Sequence, residues 1–151
     1  MYKKILIGMD NSEDAKRAAK RAMEFAKRDK SKVIAFHSVL HHLSEMNLGF
    51  SGIGNAGSAV SLTIHQDYIK AGNELLKATE KMFKEANIEI ESRLIYDIAP
   101  EDYIEQIVDE ENFDLVILGC QGEHSKLERV FLGTVPEKVI NSANCDVLII
   151  R

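Results

Sequence analysis

The residues with the types and spacing to bind a phosphate lie in the last third of the sequence. Gly119 and Gly122 directly follow an apolar run, and ten residues separate Gly122 from Gly133 and Thr134. A glycine at the end of a buried strand lets the backbone approach a ligand closely. The residues from Thr134 to Glu137 form a T-x-x-E capping box with proline in its first turn, which predicts a helix start. Free N–H groups and the positive end of the helix dipole at that start favour phosphate.

The same residues also have a purely structural interpretation. Gly119, Gly122 and Gly133 can serve only as turn residues, and Thr134 can serve only as a helix cap. The residue types and their spacing leave both interpretations open.

A second glycine-rich string, GIGNAG at 52–57, spells the dinucleotide-binding fingerprint G-x-G-x-x-G. That fingerprint needs a strand ending directly before its first glycine and a helix starting within the motif. The preceding apolar run ends near Val39, however, and the next helical pattern begins only around Leu62. We therefore interpret the string as part of a flexible loop over residues 41–61, and not as a phosphate loop.

The elements that must position these residues alternate along the chain. Four short continuous apolar runs are typical of strands buried on both faces of a parallel sheet, and an alternating segment predicts a strand near an edge. The runs are Ile5–Ile7, Val33–Phe36, Leu115–Leu118 and Val147–Ile150, and the alternating segment is Ile88–Tyr96. Helical periodicity occupies the intervals, so the sequence predicts an α/β fold with an open five-stranded parallel sheet and helices on both faces.

Composition limits the classes of function. The 151 residues are 45% apolar and 28% charged, which predicts one globular domain over 1–151. A net charge of −5 argues against a nucleic-acid partner, because no basic surplus exists to neutralise a phosphate backbone. No segment has the roughly 20 consecutive apolar residues of a membrane span. Two cysteines fit a reducing compartment, so we expect a cytoplasmic protein without a membrane partner.

Several motifs together resemble the universal stress protein family, in its nucleotide-binding form. The family motif is G-x2-G-x9-G-[ST], and this chain has Gly119-x2-Gly122, ten residues, then Gly133-Thr134. The opening YKKILIGMDNSEDAKRAAKRA is similar to the first strand and helix of the family, VIAFHSV to its second strand, and DLVILGCQG to the run into the motif. The resemblance covers essentially the whole chain. It implies a Rossmann-like sheet, of the adenine nucleotide alpha hydrolase-like type, with strand order 3-2-1-4-5.

The resemblance also implies a binding site for ATP, with Mg²⁺ or Mn²⁺ as a companion ion and with AMP or no ligand as alternatives. In family members that bind ATP, the acid corresponding to Asp10 borders the adenine. The other residues implied by the resemblance are Gly8 and Met9 beside Asp10, Ser38 at the base pocket, Gly119, Cys120 and Gly122 at the ribose and phosphates, and Gly133, Thr134 and Val135 at the phosphate chain. Asp10 can equally cap the first helix. We expect no catalytic residues and no dedicated metal ligands.

Two departures from the family pattern affect this prediction. One extra residue lies between Gly122 and Gly133, and Pro136 stands where binders usually have a residue with a free N–H. Proline removes one donor for a phosphate. The sequence thus predicts an ATP-binding regulatory module of the stress response. The alternatives are a homodimeric interaction protein that binds no nucleotide and a slow ATP hydrolase.

The final strand predicts how the protein assembles. In the order 3-2-1-4-5, Val147–Ile150 lies at a sheet edge although it is wholly apolar. An exposed apolar edge invites pairing, and the simplest partner is the same strand of a second copy. We therefore expect a homodimer through this strand.

Overall fold

The structure is a computed structural model that describes residues 1–39, 56–122 and 133–151, without the side chains of 56–64. Strands and helices alternate along these residues. The strands are β1 (Lys4–Gly8), β2 (Lys32–Ser38), β3 (Ile90–Ile95), β4 (Leu115–Gly119) and β5 (Asp146–Ile150), and the helices are α1 (Glu13–Asp29), α2 (Ala56–Glu85), α3 (Pro100–Glu110) and α4 (Thr134–Ser142).

The five strands form one parallel sheet with the order β3-β2-β1-β4-β5. In the centre, Ile5 of β1 lies opposite Val33 of β2 and Leu115 of β4. This order confirms the predicted 3-2-1-4-5 topology. The strands β2 and β3 are added on one side of β1, and β4 and β5 are added on the other side. Ligands of open α/β sheets bind at such a topological switch point, which here lies between β1 and β4.

Apolar residues fill both faces of the sheet. Ile5 and Ile7 pack with the buried alanines of α1 and with Phe83 of α2 on one face. Leu6 points to the other face, where Ile104 of α3 and Val139 of α4 pack. The continuous apolar runs therefore correspond to strands covered by helices on both sides, as predicted.

The first helix is positioned by its own sequence. Ser12 is the N-cap, and its hydroxyl accepts a hydrogen bond of 3.1 Å from the amide of Ala15. The buried residues are all alanines, which lets α1 lie close to the sheet. The start of α1 is consequently held against the ends of β1 and β4.

The second helix differs from the prediction. It begins at Ala56 instead of around Leu62, so residues 56–61 of the predicted loop are helical. The glycine at 57 belongs to the segment predicted as a flexible loop, but it lies within the first turn of the helix, where glycine costs less than in a helix interior. The rest of the predicted loop, residues 41–55, and most of the GIGNAG string lie outside the described residues.

The edge strand β3 also differs in detail. It lies at one edge as predicted, but all six residues are half-buried instead of alternating between buried and exposed. The reason is that the polar face is covered by ion pairs. Arg93 contacts both Glu91 and Glu111, and Lys32 contacts Glu91.

The described helices are not of the kind that crosses a membrane. Within the part of the chain covered by the structure, no helix is both long enough and apolar enough to do so.

Candidate functional site

The end of β1 is joined closely to its neighbours. A side chain at Gly8 would lie 2.7 Å from Cδ2 of Leu118, so glycine there lets β1 and β4 pack together. The amide of Met9 donates to the carbonyl of Phe36 at 2.9 Å, and the carbonyl of Met9 lies 2.7 Å from Nδ1 of His37. The Met9 side chain is buried in the core. Both backbone polar groups of Met9 are thus engaged with β2.

Asp10 orients the start of α1. Its Oδ1 accepts hydrogen bonds from the amide of Ser12, at 2.9 Å, and from the Ser12 hydroxyl. That hydroxyl in turn caps the helix at Ala15. The capping role expected for Asp10 is therefore indirect, since Ser12 is the cap and Asp10 holds it. The other oxygen, Oδ2, faces Gly122, where an added Cβ would lie only 3.0 Å away.

The turn after β4 packs against α1. A side chain on Gly119 would lie 2.7 Å from the amide nitrogen of Ala15, which leaves space for glycine only. The amide of Gln121 donates to Oδ2 of Asp14 at 3.1 Å. No pattern in the sequence indicates this contact, because an acid in the first turn of a helix is ordinarily explained by the helix dipole.

Cys120 joins three elements through its backbone. Its amide donates to the carbonyl of Ile150 at 2.7 Å, and its carbonyl accepts from the amide of Gly133 at 2.8 Å. Its side chain is buried, with 1% exposed. Cys120 therefore ties β4, β5 and the start of α4 together, and its thiol is not on the surface of the site.

The start of α4 corrects the predicted capping box. Gly133 is the N-cap and Thr134 is already helical, without a side-chain cap. The amide that Thr134 would have capped belongs to Glu137, and it donates instead to the carbonyl of Gly133 at 3.1 Å. Pro136 is the third helical residue, a position without an intrahelical acceptor, so its missing N–H costs the helix nothing. The amides of Thr134 and Val135 remain as the donors at this helix end.

Ser38 lies at the end of β2, on the other side of β1. Its hydroxyl donates to the carbonyl of Ile98 at 2.7 Å, and the residue is buried. The Ser38 side chain thus holds the connection between β3 and α3. The hydroxyl proton of Ser38 is therefore not available as a donor to a base.

The structure therefore brings together the predicted residues at the ends of β1 and β4 and at the start of α4, while Ser38 lies apart from them at the end of β2. The ends of β1 and β4 meet at Asp10 and Gly122, and the bond between Cys120 and Gly133 places the start of α4 beside them. Residues 123–132, which carry the extra residue of the motif, lie outside the described residues.

These features agree with a comparison of sequences. Residues 1–151 match the model of the Universal stress protein family. The chain belongs to this family. The resemblance inferred from the glycine motif and from the opening strand and helix is confirmed.

Individual members of the universal stress protein family show how far the similarity extends. Universal stress protein MJ0531 of Methanocaldococcus jannaschii is 32% identical over 153 residues, which cover 100% of this chain and 83% of the relative. The solved structure of UspA from Lactobacillus plantarum has a TM-score of 0.80 at 22% identity, covering 99% of this chain and 98% of that one. A solved universal stress protein in complex with cAMP has a TM-score of 0.67 at 28% identity, with 99% and 97% covered.

This universal stress protein also has an open cleft beside the site. The cleft, of about 560 Å³, lies between α3 and α4 and reaches the proposed site only at Thr134. Glu101 and Lys138 form an ion pair within it, and the Glu101 carboxylate raises the pKa of Lys138. All the residues that line the cleft belong to α3 and α4, and none belongs to the ends of β1 or β4. We therefore assign the candidate site to the strand ends.

A metal centre is not evident in the described part of this family member. Across residues 1–39, 56–122 and 133–151, no cluster of three His, Cys, Asp or Glu side chains is arranged to hold a metal ion.

Proposed function

We propose that this universal stress protein is a regulatory module that binds an adenine nucleotide, with ATP as the favoured ligand. The observation that most supports this proposal is that the ends of β1 and β4 and the start of α4 meet at the switch point of the sheet. Gly122 lies against Asp10, and Gly133 is bonded to Cys120. A ligand there would contact the ends of β1 and β4 and the start of α4 together.

The phosphates would be bound by backbone amides. Thr134 and Val135 provide two N–H groups at the positive end of α4, so no local lysine is required. An added Cβ on Gly133 would lie 3.1 Å from the carbonyl oxygen of Cys120. Glycine at this position keeps the helix start close to the β4 turn, which fits a cradle for phosphate.

The base would lie toward β1 and β2. Gly8, Met9 and Asp10 end β1, and Ser38 ends β2. The Met9 carbonyl and the Ser38 hydroxyl are already hydrogen-bonded within the protein, so these residues would make van der Waals contacts with the base. Oδ2 of Asp10 would accept a hydrogen bond from an amino group of the base. An acceptor of this kind fits adenine, whose exocyclic amino group is a donor.

The family supports an adenine nucleotide. The relative solved in complex with cAMP is 28% identical to this chain over nearly its whole length. Bound Mg²⁺ or Mn²⁺ would neutralise phosphate charge near the start of α4.

Identification of the nucleotide carried by the purified protein tests this proposal. Denaturation followed by mass spectrometry of the released small molecules should give ATP or AMP. Equilibrium dialysis with labelled ATP should then show saturable binding that Asp10→Ala and Gly133→Val weaken. Asp67→Ala, which removes an exposed acid of α2, is the matched control and should bind as the unaltered protein does. Absence of saturable binding by the unaltered protein would refute the proposal.

A second candidate is a homodimeric interaction protein that binds no nucleotide. The observation in its favour is that the amides of Cys120 and Gln121 are already bonded within the protein, so the β4 turn offers fewer donors than its glycines suggest. Pro136 offers none. The half-buried apolar strand β5 lies at the sheet edge and would pair with a second copy under either function. Dialysis separates the two candidates, since only the first binds ATP.

A further inference from the structure

Asp14 makes two different contacts with its two carboxylate oxygens. Oδ2 accepts the amide of Gln121 at 3.1 Å, and Oδ1 pairs with Arg17 on the solvent side. The Asp14 side chain is 16% exposed. The carboxylate thus links the first turn of α1 to a peptide group that lies 107 residues away in the sequence.

The neighbouring Glu13 shows what an acid in this turn does without such a link. Its side chain is 72% exposed and pairs with Lys16 in the same helix. Both acids interact favourably with the helix dipole. Only Asp14 contacts the turn after β4, so dipole stabilisation does not account for its position.

The turn after β4 is fixed at three successive places. Gly119 packs against the backbone of α1, and Gly122 packs against Asp10. These two contacts restrict the space of the turn, but they do not orient its peptide planes. The bond from Gln121 to Asp14 fixes the direction of the Gln121 amide, on the peptide group whose other end, the Cys120 carbonyl, accepts from Gly133. The Gln121 amide points toward α1. The next amide, that of Gly122, donates to no acceptor among the described residues.

We propose that Asp14 is a positioning residue of the nucleotide site: it holds the peptide of Gln121 and thereby presents the amide of Gly122 to the ligand. This inference rests on the proposed function. Without the carboxylate, the turn has to be ordered when the ligand binds, and that ordering weakens the affinity. Asp14 itself does not touch the ligand.

Three substitutions at position 14 test the inference. Asp14→Ala removes the acceptor, and Asp14→Ser shortens it beyond reach of Gln121 while keeping a residue favoured near helix starts. Asp14→Asn keeps an acceptor oxygen at the same place and removes only the charge. We expect ATP affinity to fall about tenfold in the alanine and serine variants, on the scale of one hydrogen bond, and to change less than about threefold in the asparagine variant.

Two matched controls separate charge from position. Glu13→Ala removes an acid from the same turn, and Arg17→Gln removes the ion pair of Asp14 without touching Gln121. Both should bind ATP as the unaltered protein does. Backbone hydrogen exchange without nucleotide should show the Gln121 amide protected in the unaltered and asparagine proteins and unprotected in the alanine and serine variants.

The outcomes are distinguishable. If Asp14→Ala and Asp14→Ser bind ATP with unaltered affinity, the inference is wrong even where their thermal stability is reduced. If Asp14→Asn is as weak as Asp14→Ala, charge and not positioning is responsible, and the inference is again wrong. If the unaltered protein itself binds neither ATP nor AMP, the proposed function fails, and the role of Asp14 in the site fails with it.

Discussion

The carbonyl of Ile150 accepts a hydrogen bond of 2.7 Å from the amide of Cys120, which joins the edge strand β5 to the turn of the candidate site. The polar groups of successive strand residues point to alternate sides. The backbone N–H and C=O of Ile150 point toward β4, and those of Leu148, two residues earlier, do so as well. The backbone N–H and C=O of Ile149 therefore point away from β4, to the open edge of the sheet. The backbone groups of Leu148 and Ile150 therefore bond within the sheet, whereas those of Ile149 are placed to bond to a second copy.

Proline at two adjacent positions should therefore have opposite effects. Ile149→Pro removes an outward amide, leaves the hydrogen bonds to β4 in place and should convert the expected homodimer to a monomer. Leu148→Pro removes an inward amide and should lower the free energy of unfolding by about 1–3 kcal/mol, because the carbonyl on β4 loses its donor. Light scattering gives the mass, and urea unfolding gives the stability. A stable dimer of Ile149→Pro would show that β5 is not the interface.

A glycine inside α2 should be needed for packing. A Cβ added to Gly72 would lie 2.7 Å from Cδ1 of Leu94 and 2.9 Å from Cδ2 of His37. Alanine is the better helix former by about 1 kcal/mol, but overpacking of a core contact costs about 1–3 kcal/mol. We expect Gly72→Ala to lower the free energy of unfolding despite its helix propensity.

The double variant Gly72→Ala with Leu94→Val provides the control for that effect. Shortening Leu94 makes room for the added methyl group, so the two changes together should cost less than their sum. Urea unfolding of the four proteins in the cycle measures the coupling. Additive costs would mean that the two side chains do not compete for the same space.

The sequence was sufficient to predict the fold because its signals were local and repeated. The apolar run Leu115–Leu118 has the length of a short strand, and the buried alanines of α1 recur with the period of a helix. The strand order came from the family resemblance. The start of α2 was misplaced because the glycine at 57 is tolerated in a first turn.

The candidate site was less predictable because its geometry depends on contacts between distant residues. The resemblance supplied the positions of Asp10 and Gly122, but not the engagement of Ser38 with Ile98 or of Gln121 with Asp14. The capping box failed because the carbonyl of Gly133 takes the amide that Thr134 would have capped. The contacts of Ser38 and Gln121 join residues that are distant in the sequence, and the bond of Gly133 depends on where the helix begins, so residue types alone do not encode them.

The two thiols should be unreactive in the folded protein. Cys120 is buried, and burial raises the pKa of Cys145 to about 11. The thiolate is the reactive form, so at pH 8 Cys145 should react with iodoacetamide about a hundredfold more slowly than an ordinary thiol. Intact mass spectrometry should show little labelling in buffer and two labels in denaturant. Rapid labelling of the folded protein would contradict the burial of Cys120 or the raised pKa of Cys145.

The ion pairs around Glu111 should make stability depend on acid pH. Arg93 and then Lys4 donate to this carboxylate and lower its pKa to about 2. In the unfolded chain a glutamate titrates near 4.3. Because the folded pKa is the lower one, the stabilisation is complete above about pH 5 and is lost as the pH falls toward 2. The carboxylate is partly exposed, so we expect a contribution of about 1 kcal/mol.

Glu111→Gln should therefore lower the free energy of unfolding at pH 7 and reduce its fall between pH 5 and pH 2. Some of the fall should remain, because hydrogen bonds from Arg28 and from the amide of Tyr2 lower the pKa of Asp29 to about 2 as well. Glu89→Gln, at an exposed position, is the matched control and should leave the pH profile unchanged. Urea unfolding at a series of pH values measures these profiles. Parallel profiles for Glu111→Gln and the unaltered protein would show that the Arg93 and Lys4 contacts do not stabilise the fold.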